Sequence, residues 1–316
     1  MSLAAHGYKN SMAAAATATK CLGVCAFCDT QARLHESHVL PAFVYRWLRG
    51  RSGTGHIRQT DNPNRRVQDG LKLPWLCGDC EAQFSRYETA FATKVFHPWH
   101  AGTYRIPYGD WLLKFCVSVS WRVLRFARGR NKNASYTDEQ HALMDRAEAR
   151  WLAFLRDEAP HPGAFEQHLL IFDVIEETTV PDLPTNMNRF MTGAVTLDIV
   201  GSDRSLMTFA KLGRFTIFGM IQKGPGQWEG TKVHVKHGLL KPGKFVVPAG
   251  LLHLFREKAA LASGAMAALS PRQRAMVDKH ILDNLHAFAA SDQFASIAAD
   301  ARMFGEDAVL WKDEPN

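Results

Sequence analysis

Two Cys-x-x-Cys pairs limit what this chain can fold into more than any other feature of its sequence. The first pair is Cys25 and Cys28, and the second is Cys77 and Cys80. Two such knuckles supply four thiolates, the donor set of a closed tetrahedral Zn²⁺ site. Because that site has no open position for water, we expect its zinc to stabilise the fold and to take no part in chemistry. The alternative is four free thiols that share this spacing by coincidence.

Cysteine usage and hydropathy predict the compartment. Six cysteines in 316 residues are too few for a disulfide scaffold, and four of them lie in the knuckles. No apolar run approaches the roughly 18–20 residues that span a bilayer. The stretch from Ala13 to Thr19 is too short and too weakly apolar for a secretory signal. We therefore expect a cytoplasmic protein with no membrane partner.

The basic residues are unevenly distributed, and the formal net charge of +7 favours an acidic partner. Positions 46–66 contain six arginines and one acid, and positions 114–132 contain six Lys and Arg and no acid. Such clustering predicts a surface that faces the phosphates of a nucleic acid. The candidate substrate-binding residues are Arg46, Arg49, Arg65 and Arg66. The alternative is an ordinary solvated cationic face.

Hydrophobic periodicity predicts an α+β fold. The chain divides by composition and periodicity into a disordered leader (1–20), a metal module (21–98), a helical segment (99–160), an antiparallel β region (161–247) and a C-terminal helical region (248–316). The C-terminal half carries no catalytic motif, and we expect it to contact a protein partner or the substrate.

Local signals place the elements within these parts. Helices are predicted over 41–49 and over 80–95, where Pro98 ends the second one. Thr137 and Gln140 fit a capping box that opens another helix. Strands are predicted over the segments 169–175, 191–200, 206–211, 215–221 and 231–236. Consecutive short strands without crossover helices favour antiparallel pairing.

Between the knuckles lies the segment Glu36-Ser37-His38-Val39-Leu40-Pro41. Together with the two knuckles, and with Glu81 directly after the second one, this segment resembles the HNH endonuclease family. The resemblance covers about residues 25–95. It implies a zinc-bound treble clef of the ββα-metal type and an activity that hydrolyses phosphodiester bonds in nucleic acid.

The resemblance also implies roles for single residues. In that family the histidine of the first strand is the general base on the attacking water, and His38 occupies its place. Glu81 stands where the family carries a ligand of a divalent cation, which implies catalytic Mg²⁺ or Mn²⁺. Ser37 stands where the family often has an acid, and the family's central asparagine is not evident in residues 70–75. Glu88 lies on the same helix face as Glu81.

The leading hypothesis is therefore a metal-dependent nuclease in which His38 deprotonates water and a divalent ion near Glu81 stabilises charge on the phosphate. The alternative is a non-catalytic zinc-binding module that binds nucleic acid or a protein partner. In that case His38 is structural, and Glu81 is a carboxylate favoured by a helix N-terminus. A nuclease brings His38 and a carboxylate together in an exposed basic cleft, whereas in a binding module His38 is buried or bonded to backbone.

Overall fold

The computed structural model describes residues 21–51, 55–130 and 136–310. Helices and antiparallel strands are mixed along these ranges. The leader predicted over residues 1–20 lies outside the described residues. No helix within the described ranges is long and apolar enough to cross a membrane.

The N-terminal part is built from small antiparallel pairs and one short helix. Its elements are β1 (Leu22–Val24), β2 (Gln31–Arg33), β3 (His35–His38), α1 (Ala42–Arg51), β4 (Ile57–Arg58), β5 (Arg66–Val67) and β6 (Lys72–Leu76). Strand β1 pairs with β2, and the first knuckle lies in the turn between them. Strand β3 pairs with β6, so that His38 lies opposite Lys72. This pairing places the end of β3 beside the turn that leads into β6.

The helix that follows the second knuckle is longer than the sequence predicts. Helix α2 (Gly78–Phe91) continues through a π-helical turn over Ala92–Phe96 into α3 (His97–His100). The prediction that Pro98 ends the helix is wrong. Pro98 lies in the first turn of α3, directly after the π-helical turn. The hydrogen-bond pattern changes there, so the helix does not require the backbone hydrogen bond that a proline cannot donate.

Two long helices form the centre of the molecule. Strand β7 (Ile106–Gly109) leads into α4 (Asp110–Arg130), which is buried along most of its length, and α5 (Asp138–Leu155) packs beside it. The predicted capping box of α5 is confirmed. Gln140 N donates to Thr137 Oγ1 at 3.2 Å, and Thr137 N donates to Gln140 Oε1 at 3.1 Å.

A four-stranded antiparallel sheet packs against α4. Its strands are β8 (Gln167–Ile171), β9 (Val195–Ser202), β10 (Ser205–Leu212) and β11 (Phe215–Gln222), in the order β8-β11-β10-β9. Helix α6 (Met187–Gly193) precedes β9, so the strand predicted from residue 191 begins four residues later. The strand predicted over 231–236 makes only a bridge between Lys232 and His168. A later strand, β12 (His237–Leu240), pairs with β7.

Each face of the sheet is covered by helices, because alternate residues of its strands point to opposite sides. Phe215 and Ile217 pack into the core that contains α4 and α5, whereas Phe209 and Phe218 pack into a second core with α6 and α7. The C-terminal helices are α7 (Gly250–Ala267), α8 (Pro271–Asp283), α9 (Leu285–Ala289) and α10 (Asp292–Phe304). Helix α10 returns to pack on α6.

Lys211 lies in strand β10 and is fully buried. Its Nζ donates to Met191 O and to Gly213 O, both at 2.8 Å. The rings of Phe172 and Phe190 lie 5.4 and 5.5 Å from the same nitrogen. Burial lowers the pKa of Lys211 to about 7, because two carbonyls and two ring faces solvate an ammonium less well than water does.

This burial predicts a stability that depends on pH. Between about pH 7 and pH 10.4 an unfolded chain holds a proton on Lys211 that the folded chain has released, so the free energy of unfolding rises with pH across that window. Lys211→Met removes this contribution. Urea denaturation at pH 7.5 and 9.5 should show a rise that is about 1–3 kcal/mol larger for the natural protein than for the variant. The exposed Lys279→Met is the control, and equal pH slopes for all three proteins would contradict the prediction.

Candidate metal centre and adjoining histidine site

The four cysteines predicted as zinc ligands, Cys25, Cys28, Cys77 and Cys80, lie together. Their sulfur atoms are all within 4.8 Å of one another, and Cys28 Sγ lies 3.7 Å from Cys77 Sγ. Four sulfurs at about 2.3 Å from a tetrahedral Zn²⁺ are roughly 3.8 Å apart. The cluster can therefore hold a metal ion such as zinc after a small contraction.

Backbone contacts fix both knuckles. Asp29 N donates to Cys25 O at 3.0 Å, and Asp29 has a φ of 60°, the left-handed conformation that closes the tight turn. Cys77 immediately precedes helix α2 in an extended conformation. Its amide donates to Cys25 Sγ at 3.3 Å. The turn and the helix start thus bring the two pairs of thiols to one point.

Two thiols of this cluster, Cys77 and Cys80, are poorly suited to carry charge without a cation, whereas the hydrogen bond from Thr30 lowers the pKa of Cys28 to about 6. Burial raises the pKa of Cys77 and of Cys80 above the ordinary value of a thiol. A divalent metal ion binds the thiolate form and compensates its charge. Metal binding and deprotonation of the cluster are therefore coupled.

Phe27, between the two cysteines of the first knuckle, ties the cluster to the main core. Its ring lies edge-on to Phe84 at 5.1 Å and to Trp121 at 5.9 Å. Arg156, at the end of α5, donates from Nε to Phe27 O at 2.7 Å. Because Phe27 is buried, the first knuckle cannot move without disturbing the packing between α2 and α4.

His38, the predicted general base, is paired with an aspartate. Its Nε2 lies 2.8 Å from Asp69 Oδ1, and its side chain is 16% exposed. Asp69 also accepts from Lys72 Nζ at 2.6 Å and from Gly70 N at 2.9 Å. Partial burial alone would raise the pKa of Asp69, but its three hydrogen-bond partners outweigh burial and hold that pKa at about 2. The ionised carboxylate places the proton of a neutral His38 on Nε2 and leaves Nδ1 as the acceptor.

Glu81, the predicted ligand of a divalent cation, lies on a different side of the strand from His38. Ser37 Oγ donates to Glu81 Oε2 at 2.5 Å. Ser37 and His38 are neighbours in β3, and successive side chains of a strand point to opposite faces. In the part of the chain that the structure describes, no hydrogen bond or ion pair joins His38 to Glu81.

A buried arginine binds the backbone of His38 from inside the core. Arg122 of α4 is 2% exposed, and its Nη1 donates to His38 O at 2.9 Å and to Glu88 Oε1 at 2.6 Å. Its Nε donates to Ser118 O at 3.2 Å. Arg122 therefore links α4, β3 and α2, and it is not available as a surface contact for phosphate.

Tyr45 of α1 packs against the imidazole of His38. The two ring centroids are 6.3 Å apart, and the planes differ by 27°. The Tyr45 ring also lies against the backbone of Gly70, where an added Cβ would stand 2.0–2.6 Å from ring atoms. Only glycine permits this approach, so the turn before β6 holds Tyr45 and Asp69 around His38.

The four predicted substrate-binding arginines fall into two places. Arg46 and Arg49 lie on α1, and Arg65 and Arg66 lie in or beside β5. Arg46 and Arg65 are exposed. Arg49 Nη1 donates to Gln68 O at 3.0 Å, and Arg66 Nη2 lies 3.3 Å from the sulfur of Met276.

The second basic run is largely paired within the protein. Arg125 Nη1 lies 2.9 Å from Glu148, and Arg128 contacts both Asp145 at 2.6 Å and Glu148 at 3.1 Å. Arg122 is buried, so in this run the described pairs with carboxylates of α5 are those of Arg125 and Arg128.

A cavity of about 3360 Å³ adjoins the histidine site. Tyr45, Asp69 and Gly70 line it on one side, and strand β9 and helix α7 line it on the others. Its lining contains charged side chains of both signs. The basic residues include Arg58, Arg130, Arg189, Lys258 and Arg274. The acidic residues include Asp61, Asp69, Asp198, Glu257, Asp292 and Asp307. The lining is therefore mixed in charge.

Sequence reasoning missed Asp69 and Tyr45 as parts of the site. The signal for Asp69 was the Asp-Gly step directly before β6, since a turn there returns the chain to β3. The signal for Tyr45 was weaker. An aromatic residue at helical spacing is ordinarily a core residue, and only the close approach of Gly70 distinguishes this one.

Comparisons with known proteins identify no relative: no family model, curated protein or solved structure matches this chain.

The cluster predicts that metal and fold are lost together. Cys77→Ser removes one of four thiolates, so zinc content should fall well below about one ion per chain, and the midpoint of thermal unfolding should fall with it. Elemental analysis and calorimetry of the purified protein measure both. Cys21→Ser, which changes a cysteine outside the cluster, should retain the metal. Full zinc retention by a Cys25→Ser, Cys77→Ser double variant would refute the assignment.

Proposed function

We propose that this protein is a metal-dependent nuclease of HNH-like type, with a zinc-bound treble clef around its cysteine cluster. The observation that carries the proposal is the His38–Asp69 pair at the end of β3, with Nε2 to Oδ1 at 2.8 Å. The order of elements supports it as well: a knuckle hairpin, a second strand pair, and a helix that opens at the second knuckle. The pair is partly exposed and lies beside a large cavity, so that substrate can reach it.

In this proposal His38 acts as the general base. Asp69 holds the imidazole by Nε2, and Nδ1 takes a proton from the attacking water. Arg122 donates to the carbonyl of His38 and so fixes the backbone on the opposite side. Because the ring and its backbone are held separately, the base stands in one orientation before substrate binds.

The divalent ion, Mg²⁺ or Mn²⁺, would supply Lewis-acid stabilisation of charge on the phosphate. The family resemblance assigns this ion to Glu81, where Ser37 engages Oε2 and leaves Oε1 as a ligand atom. Glu81 lies on the other side of β3 from His38, so an ion held there would act on the same phosphate only if the substrate reaches both sides of the strand. A single carboxylate supplies only a small part of the ligands that an octahedral Mg²⁺ site requires. It still fits Mg²⁺, which is commonly bound through one or two carboxylates while waters and substrate phosphate complete the shell.

Nucleic acid is the proposed substrate, and Arg46, Arg49, Arg65 and Arg66 are its proposed backbone contacts. The net charge of +7 supports this choice. The cavity lining is mixed in charge, so we propose that the phosphate contacts are made by these arginines on α1 and around β5 and not by the cavity walls as a whole.

The second candidate function is a non-catalytic zinc module that binds nucleic acid or a protein partner. One observation favours it: both carboxylates on this face of α2 are already engaged, Glu81 by Ser37 and Glu88 by Arg122. A protein of this kind binds but does not cleave, with or without a divalent ion.

Catalysis tests the first candidate. Purified protein is incubated with plasmid DNA and with RNA in Mg²⁺ or Mn²⁺, beside His38→Ala and Asp69→Asn. His38→Ala should slow cleavage by about 10²–10⁴-fold, because a general base contributes chiefly to the transition state. Asp69→Asn should cause a smaller loss, because the amide still reaches Nε2 but no longer favours the productive tautomer.

The matched control is His35→Ala, which removes an exposed histidine from the same strand. All variants should retain zinc and bind nucleic acid as the natural protein does. If the natural protein cuts neither nucleic acid with any divalent ion, the binding module is the correct function. If His38→Ala cuts as fast as the natural protein, the catalytic centre lies elsewhere in the chain.

Binding tests the arginines separately. A double change of Arg65 and Arg66 to Glu should weaken affinity for every sequence about equally and should reduce the slope of log K against log salt, through loss of counterion release. Fluorescence anisotropy at several salt concentrations measures both quantities. Lys279→Glu, which reverses one exposed charge on α8, is the control. An unchanged slope in the double variant would exclude these arginines from the interface.

A further inference from the structure

Tyr45 is a further titratable group at the histidine site, and the general-base mechanism gives it no task. Its ring packs on His38 at 6.3 Å and against Gly70. Gly70 follows the aspartate that holds the imidazole. The phenol is therefore positioned by the same turn that positions the base.

The surroundings of Tyr45 keep its hydroxyl in the protonated form. Tyr45 is partly buried and lines the cavity beside Asp69. Among the described residues no hydrogen bond occupies its hydroxyl. Burial and the charge of Asp69 raise the pKa of Tyr45, and the opposing charge of Arg122 does not reverse this. The hydroxyl is thus protonated at neutral pH, and its O–H is available to a ligand in the cavity.

The spacing of the two rings fits one phosphodiester. A general base or acid acts from about 2.6–3.2 Å, and the attacking and leaving oxygens of an in-line displacement lie on opposite sides of the phosphorus. The imidazole and the phenol are stacked with their centroids 6.3 Å apart, so both rings are near enough to contact one phosphodiester bound beside them.

We propose that Tyr45 is the catalytic general acid that protonates the leaving oxygen; this inference rests on the nuclease function proposed above. His38 Nδ1 takes a proton from water as the water oxygen forms its bond to phosphorus. The bond from phosphorus to the leaving oxygen breaks, and that oxygen takes the proton of the Tyr45 hydroxyl. The phenolate recovers a proton from solvent and His38 releases one to it, so that the net reaction is hydrolysis.

The leaving group makes this role measurable. A nucleotide alkoxide is a poor leaving group and needs a proton, whereas p-nitrophenolate leaves without one. Tyr45→Phe keeps the ring, its packing on His38 and the contact with Gly70, and it removes only the hydroxyl. Cleavage of an oligonucleotide should slow by about 10²-fold or more, and cleavage of bis(p-nitrophenyl) phosphate by less than about threefold.

Two controls keep the outcomes distinct. Tyr87→Phe removes a hydroxyl from the same module that accepts a hydrogen bond from Gln83, and it should leave both rates unchanged. His38→Ala should slow both substrates, since each needs the base. An equal loss on both substrates in Tyr45→Phe would mean that the phenol only positions His38, and no loss on either would mean that it only packs. Both results would overturn the proposal and leave the nuclease function standing. A natural protein that cleaves neither substrate would overturn the nuclease function itself, and this proposal with it.

Discussion

The buried guanidinium of Arg122 is the contact on which the rest of the site depends. A charge removed from water is unstable unless it is paired and hydrogen-bonded, and Arg122 finds its partners on two other elements, at His38 O and at Glu88. The main helix of the core is thereby fixed to the strand that carries the histidine and to the helix that carries the second knuckle. The backbone of the site is thus set by the core, whereas the turn before β6 supplies the aspartate that holds the imidazole.

Much of the framework could be predicted from sequence, because its signals are local. The knuckle spacing identified the cysteine cluster, and Thr137 with Gln140 identified a capping box. Errors arose where tertiary packing overrides local preference. Pro98 does not end a helix, because a π-helical turn absorbs the mismatch before it, and residues 191–193 are helical under a sheet that covers them.

The candidate site was predicted less completely, for a related reason. His38 stood out because it belongs to a short motif, but its partner Asp69 is 31 residues away and becomes visible only when β6 pairs with β3. Arg122 appeared in the sequence as one cation of a basic run. Its burial follows from packing between α2 and α4, which no pattern of charges reveals. The structure adds the contacts between side chains that are distant in sequence but close in space.

The position of Phe27 bears on how much of this protein accumulates in a cell. Its ring belongs both to the knuckle and to the aromatic contacts with Phe84 and Trp121. If the cysteine cluster holds a metal ion, a chain without that ion would lack the constraint that seats this ring and would expose aromatic surface to chaperones and proteases. Metal supply would then govern the abundance of the protein as well as its fold.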